Sequence, residues 1–200
     1  MHPASVYRNP NRTLLETLID EIGFGMVFAQ TPDGPRVAHV PLLRTTSGAI
    51  QFHLARGNAL TRPLDGMTVL AVINGPDAYV SPRWYADPEQ VPTWNYIAVE
   101  LEGRVRRLDD AELLAQITAL SDLHEARVTQ GEPWTMDKLP AAKSRALQAA
   151  IVGFELDVQV CRETLKLSQN KSVEERERVA RGLESEGLER MAALMRELGR

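Results

Sequence analysis

The chain has 200 residues, 44% hydrophobic and 25% charged, which suits one moderate soluble domain or a domain with an appended helical tail. A formal charge of −4 and an isoelectric point near 5.6 argue against a surface built mainly to hold nucleic acid. A single cysteine, Cys161, excludes an intrachain disulfide, and no run approaches the ~20 apolar residues of a membrane helix.

The N-terminal stretch lacks an apolar signal core, so the chain reads as cytoplasmic. In that setting the glycosylation-like triplets at Asn11 and Asn170 are chance. Asn9 and Pro10 read as the cap and first turn of a helix carrying Leu14, Leu15, Leu18, Ile19 and Ile22, ended by Gly23. Residues 25–30 form a strand, Pro32-Asp33-Gly34 a turn, and Val37–Leu43 the return strand of a hairpin. A turn at Thr45–Gly48 leads into a strand over Ala49–Ala55. The unbroken apolar run Met67–Ile73 predicts a buried central strand.

Pro76–Tyr96 stands apart. It holds Tyr79, Trp84, Tyr85, Trp94 and Tyr96, five of the seven Trp and Tyr residues, stiffened by Pro76, Pro82, Pro88 and Pro92. Rigid backbone, flat rings and small polar groups suit a planar, partly polar ligand, and they equally suit an aromatic mini-core under a long loop. Beyond it, Trp94–Val105 alternates as a long strand, and Asp109 or Asp110 caps a helix through Leu113, Leu120 and His124. A short helix spans Pro140–Ala150, and Val152–Cys161 shows the cleanest period-2 alternation of the chain. From Ser172, a capping box with Glu175 opens two short helices broken near Gly182–Gly187. Strands joined by hairpin-length turns predict an antiparallel sheet closed into a small barrel, with helices at its ends and edges.

Familiar catalytic signatures are missing. The four histidines, His2, His39, His53 and His124, lack metal-ligand spacing. His39 and His53 lie on neighbouring predicted strands and read as wall-lining or structural groups before a metal pair. Arg56, Gly57 and Asn58 end a strand with a guanidinium, a flexible backbone and a carboxamide, which suits a phosphate cradle and equally a surface loop. Lys166–Asn170 places several hydrogen-bond donors directly after an apolar strand. The segment Lys171–Arg200 balances seven cations against seven glutamates, so it leaves no basic imprint for DNA. Its apolar set, Leu188, Met191, Leu194, Met195 and Leu198, would pack on the barrel or on a second chain.

Six stretches in one consistent order resemble the PaiB-type family of FMN-binding negative transcriptional regulators. They are Ala38–Leu43, Phe52–Asn58, Asn74–Tyr85, Val91–Gly103, Ala150–Leu156 and Lys166–Lys171. The resemblance implies an α+β, mainly β fold: an antiparallel Greek-key split β-barrel with peripheral helices and a C-terminal helical pair. Residues 1–170 would form the FMN-binding domain and 171–200 the helical extension. It also implies a homodimer with FMN at the subunit interface. By similarity, Ala55, Arg56 and Asn58 would contact the FMN phosphate. His39, Leu42 and His53 would come from adjacent strands, and Ser81 from the aromatic stretch. Trp94, Asn95, Lys166 and Gln169 would reach the flavin from the partner subunit, with Trp84 or Trp94 shaping the ring pocket. Ala38 replaces a common threonine of relatives and Gly57 a common alanine; neither removes an expected ligand. The rival readings are an FMN-dependent oxidoreductase or flavin reductase on the same scaffold and, last, a haem-handling split barrel with His39 or His53 as axial ligand.

Overall fold

The computed structural model describes residues 2–9 and 11–199. Seven strands form one sheet: β1 (Phe24–Thr31), β2 (Gly34–Pro41), β3 (Leu43–Arg44), β4 (Ile50–Ala55), β5 (Thr68–Val80), β6 (Thr93–Arg107) and β7 (Ile151–Lys166). Their order in space is β2-β1-β5-β6-β7-β4-β3. The helices are α1 (Arg12–Ile22), α2 (Asp110–Glu125), α3 (Ala141–Ala149), α4 (Val173–Ser185) and α5 (Glu189–Leu198). By contact density the chain divides into two units. One comprises Met1–Leu18, Asn74–Val99 and Arg162–Arg200, the other Ile19–Ile73 and Glu100–Cys161.

In the second of these units, β1 and β2 form the expected hairpin, in register from Thr31 opposite Gly34 to Phe24 opposite Pro41. Strand alternation sends Val27 and Ala29 inward, while Phe24, Phe28 and Val37 project outward at 53%, 38% and 43% exposure. β4 pairs antiparallel with β7, which sets Phe52 opposite Phe154. Both are fully buried, with their rings stacked at 5.7 Å. β2 comes close to β4, yet the two stand at different places in the strand order and are not paired. The sheet is therefore open there, and the closed small barrel expected from the turns is a split one. At Gly103 on β6, a Cβ would fall 1.8 Å from the Asp157 carbonyl oxygen of β7, so only glycine permits this backbone approach. α2 begins with a complete capping box in which Asp109, not Asp110, is the cap and Glu112 its partner.

α1 starts later than the sequence indicates. Its cap is Asn11, whose Oδ1 accepts from the Leu14 N–H at 3.1 Å, and Asn9 in turn accepts the Asn11 N–H. Pro10, the expected first-turn proline, lies outside the described residues.

In the first unit, the expected long loop over Pro76–Tyr96 is strand at both of its ends. β5 continues through Pro76 to Val80, where Ala78 and Val80 are buried again, one residue out of phase with the Val69, Ala71 and Ile73 alternation. Only residues 81–92 leave the sheet, and Pro82–Trp84 forms a 3-10 turn capped by Ser81. β7 likewise runs to Lys166, past the expected end at Cys161, with Thr164 and Leu165 buried. α4 and α5 pack as a hairpin through Val179, Ala180 and Leu183, Met191, Ala192 and Met195. Gly187, at φ 76°, ends α4 with the Leu188 N–H donating to the Leu183 carbonyl.

Candidate functional site

The expected site residues fall into two groups, one in each unit. The first lies at the end of β4. There Ala55–Asn58 form a tight turn, closed by the Asn58 N–H donating to the Ala55 carbonyl at 2.9 Å. The Arg56 Nε donates to the Ala149 carbonyl at 2.8 Å and Nη2 to the Ile151 carbonyl at 3.3 Å. The guanidinium thus caps the C-terminal end of α3, where the helix dipole favours a cation. Its Nη1 has no protein partner among the described residues. Asn58 Oδ1 accepts from the Leu60 N–H, which locks the loop and leaves the amide nitrogen as its free donor. At Gly57 a Cβ would meet nothing within 4 Å, so space beside the turn is open.

The other members of this group differ in setting. His53 is half-buried, with Nδ1 facing the Gln116 amide nitrogen at 3.4 Å, and burial pushes its pKa down. His39 is exposed on the outward face of β2, opposite Met26. The two histidines therefore have different surroundings, and no metal-binding cluster occurs among the described residues. Leu42 is core, 2% exposed and packed over Gly25.

The second group surrounds the start of β6 and the end of β7. Trp94 is 54% exposed and meets the exposed Tyr79 edge-on, ring centroids 6.1 Å apart. Lys166 Nζ donates to Thr93 Oγ1 at 2.6 Å and to the Trp94 carbonyl, and burial lowers its pKa. Asn95 is fully buried, and its Nδ2 donates to Ser168 Oγ at 3.0 Å. Ser168 occupies the left-handed region at φ 63°, where a non-glycine residue is strained. Gln169 spans the same turn, accepting from the Leu167 N–H at 2.7 Å and donating to the Leu165 carbonyl at 2.5 Å. Asn95 and Gln169 thus hold the backbone that presents Lys166. Trp84 lies half-buried against Gly182 of α4, and Ser81 accepts from the Arg83 N–H. The Ser172 cap is present, but Glu175 accepts from the Ala86 and Asp87 N–H groups at 3.1 and 3.3 Å and fastens that segment to α4.

Three participants escaped the sequence reading: Ser168, Gln116 and Glu175 in its second role. Ser168 was legible only as part of a polar run, and Gln116 as a polar residue at helical spacing between Leu113 and Leu120. Nothing local foretold the reach of Glu175.

Comparison with known proteins places these features. A family model described as "Putative FMN-binding domain" matches residues 1–160. The Bacillus subtilis protein named protease synthase and sporulation protein PAI 2 is 30% identical over 202 residues, covering 98% of this chain and 96% of that one. An uncharacterized protein of Emericella nidulans is 25% identical over 245 residues, covering 100% and 98%. Among solved structures, an FAD and heme binding protein of Mycobacterium smegmatis superposes with a TM-score of 0.61 at 17% identity, over 84% of this chain and 77% of that one. The flavocytochrome Anf3 of Azotobacter vinelandii gives 0.62 at 14% identity, over 82% and 72%. At these identities the likeness carries the fold alone.

Proposed function

The chain belongs to the FMN-binding family matched above, and from that premise we propose that it works as a homodimeric negative transcriptional regulator with flavin at the subunit interface. The cofactor is FMN, a flat heterocycle with a dianionic phosphate. The Ala55–Asn58 turn carries the reading, because its donor set fits such an anion. It offers the unspent Nη1 of an anchored guanidinium, the Asn58 amide and a Gly57 with open space beside it. Arg56 would hold the phosphate, with Ala55 and Asn58 beside it. His53 and the outward His39 would line the flavin, and Leu42 would support them from the core. Trp94, Trp84 and Ser81 would border the ring. Reaching in from the second copy of the chain with Trp94, Lys166 would offer its remaining N–H, with Asn95 and Gln169 fixing the turn behind it. Bound flavin would supply redox chemistry or act as the sensed ligand.

The outward face of the β1–β2 hairpin supports the dimer. Phe24, Phe28 and Val37 form an apolar sheet face that a second copy would cover. The cations of the C-terminal helices favour an indirect route to regulation. Arg196 is bound between Glu177 and Glu184, Arg181 pairs with Glu177, and the segment's seven cations are matched by seven glutamates, so it carries no net positive charge for a phosphate backbone.

Titration with FMN, followed by flavin fluorescence, tests the cofactor reading, and sedimentation tests the dimer. Unchanged fluorescence well above micromolar FMN, from a monomer, refutes both. Sequence-specific DNA retention at physiological salt would support direct regulation. FMN-stimulated NAD(P)H oxidation would replace the regulator with a reductase.

A further inference from the structure

The unit formed by Ile19–Ile73 and Glu100–Cys161 contains a cavity of about 520 Å³ that shares His53 with the flavin reading but is otherwise lined by residues outside it. It lies among α2, the connection that follows it, α3 and one edge of the sheet. Its walls are apolar, with Leu120 from α2, Trp134 and Leu139 from the connection, Leu147 from α3 and Ile151 from β7. That size and lining fall within the range of small-molecule sites.

The polar groups in the lining separate into spent and unspent. Ser121 donates to the Ile117 carbonyl, and Ser144 accepts one amide N–H of Gln148, so both hydroxyls are engaged within the protein. His53 and Lys143 remain. Gln116, 1% exposed, sets its amide nitrogen 3.4 Å from His53 Nδ1, and its own carbonyl oxygen finds no partner. In the tautomer in which Nδ1 accepts from that amide, the ring proton sits on Nε2, which has no protein partner among the described residues. Lys143 makes no ion pair among the described residues, and no Asp or Glu lines the cavity.

We propose that this cavity binds an apolar monocarboxylate, its hydrocarbon body against Leu120, Trp134 and Leu147 and its carboxylate between His53 Nε2–H and the Lys143 ammonium. Apolar walls with two unspent donors and no opposing carboxylate favour an amphipathic anion over a neutral or cationic ligand. The proposal shares His53 with the flavin reading but none of the Ala55–Asn58 turn, so competition between the two ligands separates them.

Decanoate, with decanol as the uncharged control, is the probe. Titration of the full chain, followed calorimetrically and by Trp134 fluorescence, should show one saturable decanoate site and weaker binding of decanol. Lys143→Gln should weaken decanoate about two- to fivefold at low salt, the scale of an exposed ion pair, and leave decanol unchanged. Ser144→Trp, which fills the cavity, should weaken both at least tenfold while circular dichroism confirms the fold. Trp134→Phe should abolish the fluorescence signal but not the calorimetric one. Absence of saturable binding, or indifference to both Lys143→Gln and Ser144→Trp, overturns the proposal. So does stoichiometric displacement of decanoate by FMN, which would assign the cavity to the flavin. An FMN titration of the same sample keeps the two failures apart.

Discussion

Replacing Gly182 with alanine sets two well-known effects against each other. In the middle of a helix the exchange alone should stabilise by ~1 kcal/mol. Here the new methyl would lie 2.4 Å from both Cγ and Cδ2 of Trp84, about 1 Å short of ordinary contact. The indole is half-buried and must shift, and forced overpacking costs ~1–3 kcal/mol. The net expectation is ~0–2 kcal/mol of destabilisation. In a Trp84→Ala background the obstacle is gone, and the same exchange should stabilise by the full ~1 kcal/mol. Urea unfolding of the four proteins, followed by circular dichroism, gives the coupling energy, expected at ~1–3 kcal/mol. If Gly182→Ala stabilises equally with and without the indole, the packing argument is wrong. Because Trp84 is an expected flavin neighbour, the shifted ring should also change FMN affinity in the single variant.

Arg56→Ala should weaken FMN about tenfold to a hundredfold, the worth of a charge-assisted hydrogen bond, with Arg56→Lys recovering part. Riboflavin, lacking the phosphate, should bind both variants like the parent, and a parallel loss for riboflavin would contradict the assignment. Asn95→Ala should lower stability by ~1–3 kcal/mol, read as a lower urea midpoint, because the buried Ser168 hydroxyl loses the Asn95 carboxamide that both donates to it and accepts from it. His53 has its folded pKa pushed down by burial, so below the ordinary histidine value near 6.5 the unfolded chain binds the extra proton. Its contribution is therefore complete above about pH 6.5 and is lost as pH falls toward the folded value. His53→Leu should flatten that part of a stability profile measured between pH 5 and 8, and an unchanged slope would remove His53 as its source.

Much of the fold was legible because local rules and tertiary context agreed. The alternation along β7 marked its strand, and the Asp109–Glu112 box marked the start of α2. Legibility failed where a distant partner decided. Four prolines made Pro76–Tyr96 read as loop, yet β5 runs on to Val80 with Ala78 and Val80 buried. Propensity at Lys166 gave no sign that the strand would reach it. The site was legible as chemistry, in the guanidinium of Arg56 and the rings of Trp84 and Trp94, but not as geometry. No periodicity tells that Asn95 is sealed beside Ser168, or that Gln169 spends both ends of its carboxamide on its own turn.

The carboxylate of Glu175 reaches back across 88 residues of sequence to collect the amides of Ala86 and Asp87, and the helix bearing it also provides the floor for Trp84. Shortening the polypeptide after residue 170 would leave those amides to water and the indole without support. An excised barrel should thus show protease nicking and rapid amide exchange in 81–92 first, and the trailing helices are better regarded as a brace for that wall than as a detachable appendage.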